Sequence, residues 1–146
     1  MGVARFIAKA SKLPGLIKPR AEASTGEQGE QRAAAYLQKL GYRILQKNYR
    51  CREGEIDIVA RDGQTLVFIE VKTRDTYGNE RPEAAVTASK KHKLCKAARH
   101  FMKKYKLTGS LFRFDIIGLD IDMQKTWTLH HWQNTINYKQ ALRRKH

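Results

Sequence analysis

Four side chains in two short runs have the types and spacing for phosphate or metal chemistry. Glu55 and Asp57 stand in EIDIVAR (55–61), and Glu70 and Lys72 in TLVFIEVKT (65–73). Carboxylate oxygens suit a hard divalent cation. An ammonium beside them can orient or help deprotonate an attacking water, or neutralise charge building on phosphorus. Whether the four can meet depends on the elements that carry them.

Both runs alternate as strands do, and Asp62-Gly63 between them is a turn signal. Closed as a two-residue turn, the hairpin puts Val59 opposite Leu66, Asp57 opposite Phe68 and Glu55 opposite Glu70. The side-chain period of two then places Ile56, Ile58, Ala60, Val67, Ile69 and Val71 on one face. Glu55, Asp57, Glu70 and Lys72 lie together on the other, with Asp57 diagonal to Glu70 at about 7–8 Å between β-carbons. Like charges directly opposite, as with Glu55 and Glu70, cost stability unless a cation sits between them. The plain alternative is a solvated polar face with one Lys–Glu pair. Val59, Leu66 and Phe68 share that face, however. They make it half-buried, where grouped carboxylates need a reason.

Ser24-x-x-Glu27 is a capping box that opens a helix, with Ala33, Ala34, Leu37 and Leu40 on one face and Gly41 as the stop. Glu30 falls on the same face, where burial is costly unless it sits at the rim or pairs with a lysine or arginine. Tyr42–Tyr49 reads as a strand. A second helix is expected from about Ala84 to Lys106. Leu94, Ala98, Phe101, Met102 and Tyr105 line one side of it; Lys90, Lys93, Lys96, Arg99, Lys103 and Lys104 line the other. Leu111–Leu119 and Thr126–Trp132 read as two more strands. The order α-β-β-β-α-β-β defines an α/β (α+β) sheet of about five strands covered by helices. One domain, 24–133, is expected between a basic N-terminal arm (1–23), broken by Pro14 and Pro19, and a basic C-terminal tail (134–146). The arm reads as flexible or loosely docked. A short helix on a membrane or a partner is the alternative.

The chain carries 29 Lys plus Arg against 14 Asp plus Glu, a formal net charge of +15. Such a balance points to a polyanionic partner, DNA or RNA first and an anionic membrane surface next. Lys90, Lys93 and Lys96, with Arg74 just past the hairpin lysine, are the candidate backbone contacts; a merely solvated basic face is the alternative. Cys51 and Cys95 match no zinc spacing and make no disulfide framework, so two reduced thiols in the cytoplasm are expected. No apolar run is long enough for a membrane span, and a signal peptide is not expected. His92, His100, His130 and His131 have no metal-ligand company and read as surface or strand residues. Trp127 and Trp132 read as core or edge anchors.

The strings GEIDIVA (54–60) and FIEVKTR (68–74) resemble the D…(E)xK signature of the PD-(D/E)XK nuclease superfamily. Together with GE (29–30), NYRCREGEID (48–57), EVKTR (70–74), PEAAV (82–86) and RFDI (113–116), residues 26 to 118 resemble the YraN family of small bacterial proteins. The resemblance implies a restriction-endonuclease-like, Holliday-junction-resolvase-like core, a central mixed sheet flanked by helices. It implies that Asp57 and Glu70, with the Val71 carbonyl, hold Mg2+ or Mn2+, and that Lys72 is the catalytic lysine. Glu30 would be the acidic residue of the first helix, and Glu55 a secondary candidate. The implied activity is a metal-dependent endonuclease on DNA, branched DNA included, with DNA favoured over RNA. Resolvase-like action on a two-fold-symmetric junction would use a homodimer. A nucleic-acid-binding module without catalysis is the alternative, because fold does not establish function.

Overall fold

The computed structural model describes residues 23–75 and 86–143. The N-terminal arm before Ala23, and the PEAAV string up to residue 85, lie outside the described residues. Helix α1 (Thr25–Lys39) begins at the expected capping box. Ser24 Oγ accepts from the Glu27 N–H at 3.2 Å, and the Glu27 carboxylate accepts from the Ser24 N–H at 3.2 Å. The order continues through β1 (Arg43–Cys51), β2 (Gly54–Asp62), β3 (Thr65–Asp75), α2 (Ala88–Lys104), β4 (Phe112–Ile121), β5 (Trp127–Trp132) and α3 (Tyr138–Leu142). The strands form one sheet in sequence order. The β3–β4 pair is parallel and the other three are antiparallel. A parallel pair needs a crossover, and α2 supplies it. The expected α+β class, with a five-stranded mixed sheet between helices, is what the chain adopts.

Both faces of the sheet are covered. Leu94, Ala98, Phe101 and Met102 of α2 pack on Val59, Leu66, Phe68 and Phe114. Ala33, Ala34 and Leu37 of α1 pack on Ile58, Ala60, Val67, Ile69 and Ile117. The Phe68 and Phe114 rings lie 5.4 Å apart between centroids, at the middle of the α2 layer. This centre fixes β3 and β4 side by side, so the polar end of β3 is held by a rigid support.

Three details differ from expectation. Helix α2 begins at Ala88 rather than Ala84: Thr87 caps it, accepting from the Lys90 N–H at 3.1 Å, and Val86 before it is buried. The segment after Trp132 is more than a basic tail. Ile136 is buried in the α2 layer, and Tyr138, Ala141 and Leu142 pack beside it. Its lysines and arginines masked that apolar spacing. Finally, the β2–β3 turn is Gly63-Gln64, with Asp62 paired to Thr65 and Val59 to Phe68. The register is shifted by two residues from the expected one. An even shift leaves every side chain on its face.

Candidate functional site

The shift moves the carboxylates closer than the diagonal expected. The β2–β3 ladder stops at Ile58↔Ile69. Below that level β2 stays with β1, through Tyr49↔Ile56, Arg50↔Glu55 and Cys51↔Gly54. The β1–β2 hairpin therefore parts from β3 where Asp57 and Glu70 sit. The next rung would pair Ile56 with Val71. In its place the Val71 N–H donates to Asp57 Oδ2 at 2.8 Å. A residue's N–H and C=O point to the same side of a strand. The Val71 carbonyl therefore faces the opened edge too.

The side chain reaches that edge because the alternation of β2 changes phase. Ile56 and Val59, three apart, share the α2 layer, while Ile58 lies in the α1 layer. Ile56 is thus not on the face with Ile58, as the simple period placed it. On β1 the residue level with Asp57 is Asn48, with φ of +52°. Asparagine tolerates this left-handed conformation better than most residues. Its side chain also hydrogen-bonds Glu30. One kinked residue thus accompanies the phase change and bonds the α1 carboxylate.

Glu70 is buried, and Lys90 Nζ of α2 lies 2.9 Å from its Oε1. Burial, then the neighbouring Glu70 carboxylate, pushes the Asp57 carboxyl up to about 7; the Val71 N–H and the Lys90 ammonium oppose the rise. The bond to Glu70 raises the Lys90 ammonium, against its own burial. Burial raises the Glu30 carboxyl, as do the charges of Asp57, Glu27 and Glu55, while the Asn48 bond lowers it. Asp57, Glu70 and Glu30 thus share one electrostatic neighbourhood. Even so, among the described residues no three His, Cys, Asp or Glu side chains form a group that could by itself hold a metal ion.

Lys72 is half-buried, two residues beyond Glu70, and level with Gly118 of β4, which offers no side chain against it. Among the described residues it is in no ion pair. Glu55 is exposed and pairs with Arg50, which lies across from it with its Nε at 3.6 Å. Three of the four candidate phosphate contacts are already engaged. Arg74 pairs with Asp120 at 3.1 Å, Lys96 with Glu53 at 3.0 Å, and Lys90 with Glu70. Lys93 is exposed and lines the cleft between α2 and the hairpin tip, with Arg50, Gly54 and Glu55.

A second polar cluster lies on the α1 side, centred on Arg113 and Asp115 of the RFDI string, to which the sequence assigned no role. Asp115 is fully buried and accepts from the Asn134 N–H at 3.0 Å and Arg113 Nε at 3.1 Å, with His131 Nε2 at 2.8 Å. Arg113 continues to Asp62 and to the Tyr42 hydroxyl. These donors hold the Asp115 carboxyl below the usual carboxylate range despite its burial. His131 is a strand residue of β5, one of the two places expected for it, but its side chain is buried in this network; His92 is on neither strand nor surface, being buried in α2 with its Nδ1 2.7 Å from the Ala141 carbonyl. Burial pushes the Cys95 thiol up to about 12, which leaves it inert as a nucleophile. Among the described residues no helix is long and apolar enough to cross a membrane.

Fold and site together define an α+β protein whose mixed sheet holds a carboxylate pair where two of its strands part. Residues 29–119 match the model of the Uncharacterised protein family UPF0102, and the chain belongs to that family, the YraN family. A UPF0102 protein of Geobacter sulfurreducens is 51% identical over 96 residues, covering 66% of this chain and 75% of the relative. One of Syntrophus aciditrophicus is 48% identical over 99 residues, 66% of this chain and 76% of the relative. One of Trichlorobacter lovleyi is 42% identical over 115 residues, 78% and 91%.

Proposed function

We propose that this chain is a nucleic-acid-binding protein of the PD-(D/E)XK type that hydrolyses phosphodiester bonds in DNA with the help of Mg2+ or Mn2+. The observation that carries the proposal is the Asp57 carboxylate standing in the opened β2–β3 ladder, on the Val71 N–H and beside buried Glu70. Two close carboxylates and a backbone carbonyl on one edge are an oxygen donor set of the kind these cations take while keeping several waters. Asp57, Glu70 and the Val71 carbonyl would hold the ion, with Glu30 on the α1 side of the pair. When bound, such an ion lowers the pKa of a water and stabilises charge on the phosphate.

In hydrolysis a water oxygen bonds to phosphorus, the scissile P–O bond breaks, and the departing oxygen gains a proton. Lys72, on the Glu70 side of β3, orients the water or steadies the charge on the phosphoryl oxygens. The exposed cations of α2 grip backbone phosphates, a contact that carries no sequence information. Selectivity then rests on nucleic-acid shape, such as a branch, and a two-fold-symmetric branch calls for two copies of the chain.

The test is cleavage of labelled branched and linear DNA, with and without Mn2+, by wild type and Lys72→Ala side by side. Cleavage by wild type that Lys72→Ala loses while still binding is the expected result. The second reading, a binding module without catalysis, draws on the Lys90 ammonium already seated on Glu70 and on the absence of a three-ligand group among the described residues. Salt-sensitive DNA binding by both proteins, with no cleavage and no response to Mn2+, would favour it.

A further inference from the structure

Lys90 stands in the first turn of α2, the third residue after the Thr87 cap. That is an unfavourable place for a cation, because the helix dipole puts partial positive charge there. No acidic residue occupies that turn to offset it. The side chain instead reaches across to β3, 2.9 Å from Glu70 Oε1. Glu70 is 3% exposed, so without a cation it would be a buried, unpaired carboxylate beside Asp57. The Lys90 side chain itself is 45% exposed. Its stem is therefore free to swing toward solvent, and the ammonium can leave without rearranging the core.

We propose that Lys90 is a resident counter-cation: it neutralises the Asp57–Glu70 pair in the metal-free protein, and a divalent ion must displace it to bind. The proposal rests on the metal-dependent reading of the site. Lys90 and the ion compete for the same Glu70 oxygens, so removing the ammonium tightens ion binding and makes the metal-free fold poorer. Arg50 is spent on Glu55 at the hairpin tip, and Arg74 on Asp120 at the far end of β3. Lys72 lies two residues along the strand, which leaves Lys90 as the cation seated on Glu70.

The experiment is Mn2+ titration calorimetry on the full chain, for wild type, Lys90→Met, Lys90→Arg and Glu70→Gln, with melting temperatures in EDTA and in Mn2+. Lys90→Met is expected to bind Mn2+ about tenfold more tightly than wild type, the scale of one charge-assisted hydrogen bond. It should melt lower in EDTA and gain more from Mn2+ than wild type does. Lys90→Arg should stay near wild type, and Glu70→Gln should lose the binding. Equal or weaker binding by Lys90→Met, in a wild type whose Mn2+ binding depends on Glu70, overturns the counter-cation and leaves the metal site standing. No Glu70-dependent binding in wild type or in Lys90→Met overturns both.

Discussion

Asp57 keeps its proton to about pH 7 because it is buried, beside the charge of Glu70. The unfolded chain releases that proton near the ordinary aspartate value of about 4. Between about pH 4 and 7 the folded form therefore holds more protons than the unfolded one, and stability falls as pH rises through that window. Asp57→Asn keeps an oxygen for the Val71 N–H and removes the charge. We expect it to flatten this slope and to stabilise the metal-free protein at pH 8 by on the order of 2 kcal/mol, as read from urea melts in EDTA at several pH values. A destabilised Asp57→Asn at pH 8 would show that the pair is not strained. At this scale the face that Glu70 shares with Phe68 was legible from alternation. The partner of Lys90 was not. A helix face full of lysines does not announce which one meets a carboxylate twenty residues earlier.

At the scale of elements, α1 delivers Glu30 only because it approaches β3 very closely. A Cβ on Gly29 would lie 1.9 Å from Thr73 Oγ1, which is buried without a hydrogen-bond partner among the described residues. Gly29→Ala must either turn the Thr73 side chain aside or push the helix off the strand. It should cost roughly 1–3 kcal/mol by chemical denaturation and lower the rate of any Mn2+-dependent cleavage by moving Glu30. Unchanged stability would mean that the helix accommodates the methyl without shifting. The capping box, the hairpin faces and both long helices could be read locally, because propensity and periodicity act within one element. The phase change at Asp57 could not. It goes with a positive φ at Asn48 of the neighbouring strand, for which the local signal is one asparagine in a strand that also shifts register between Ile44 and Gln46.

For the whole molecule, charge and core act on different quantities. The core holds the sheet: Phe68→Ala should cost about 3–5 kcal/mol and leave the carboxylates without a firm base. The His131–Asp115–Arg113 network ties β4, β5 and the end of β2 together away from the site. Such a network arises from the pairing register of separate strands, which a linear pattern of residues does not encode. Binding should follow the exposed Lys93, Arg99, Lys103 and Lys104 of α2. With four phosphate contacts, the logarithm of the DNA association constant should fall with the logarithm of salt at a slope of roughly −3 to −4. Lys103→Glu with Lys104→Glu should make that slope shallower. A slope near zero would exclude α2 as the gripping surface.

The bond from Val71 to Asp57 gives the protein a spectroscopic gauge at the centre of its site. A backbone amide that donates to a carboxylate senses whether that carboxylate is charged, so the Val71 amide resonance should move as Asp57 titrates. It should move again when any cation or anion settles nearby, whether or not a bond is ever cut. One nitrogen–proton cross-peak can then follow ionisation, occupancy and polyanion approach in the intact chain, without a label placed on the side chains themselves.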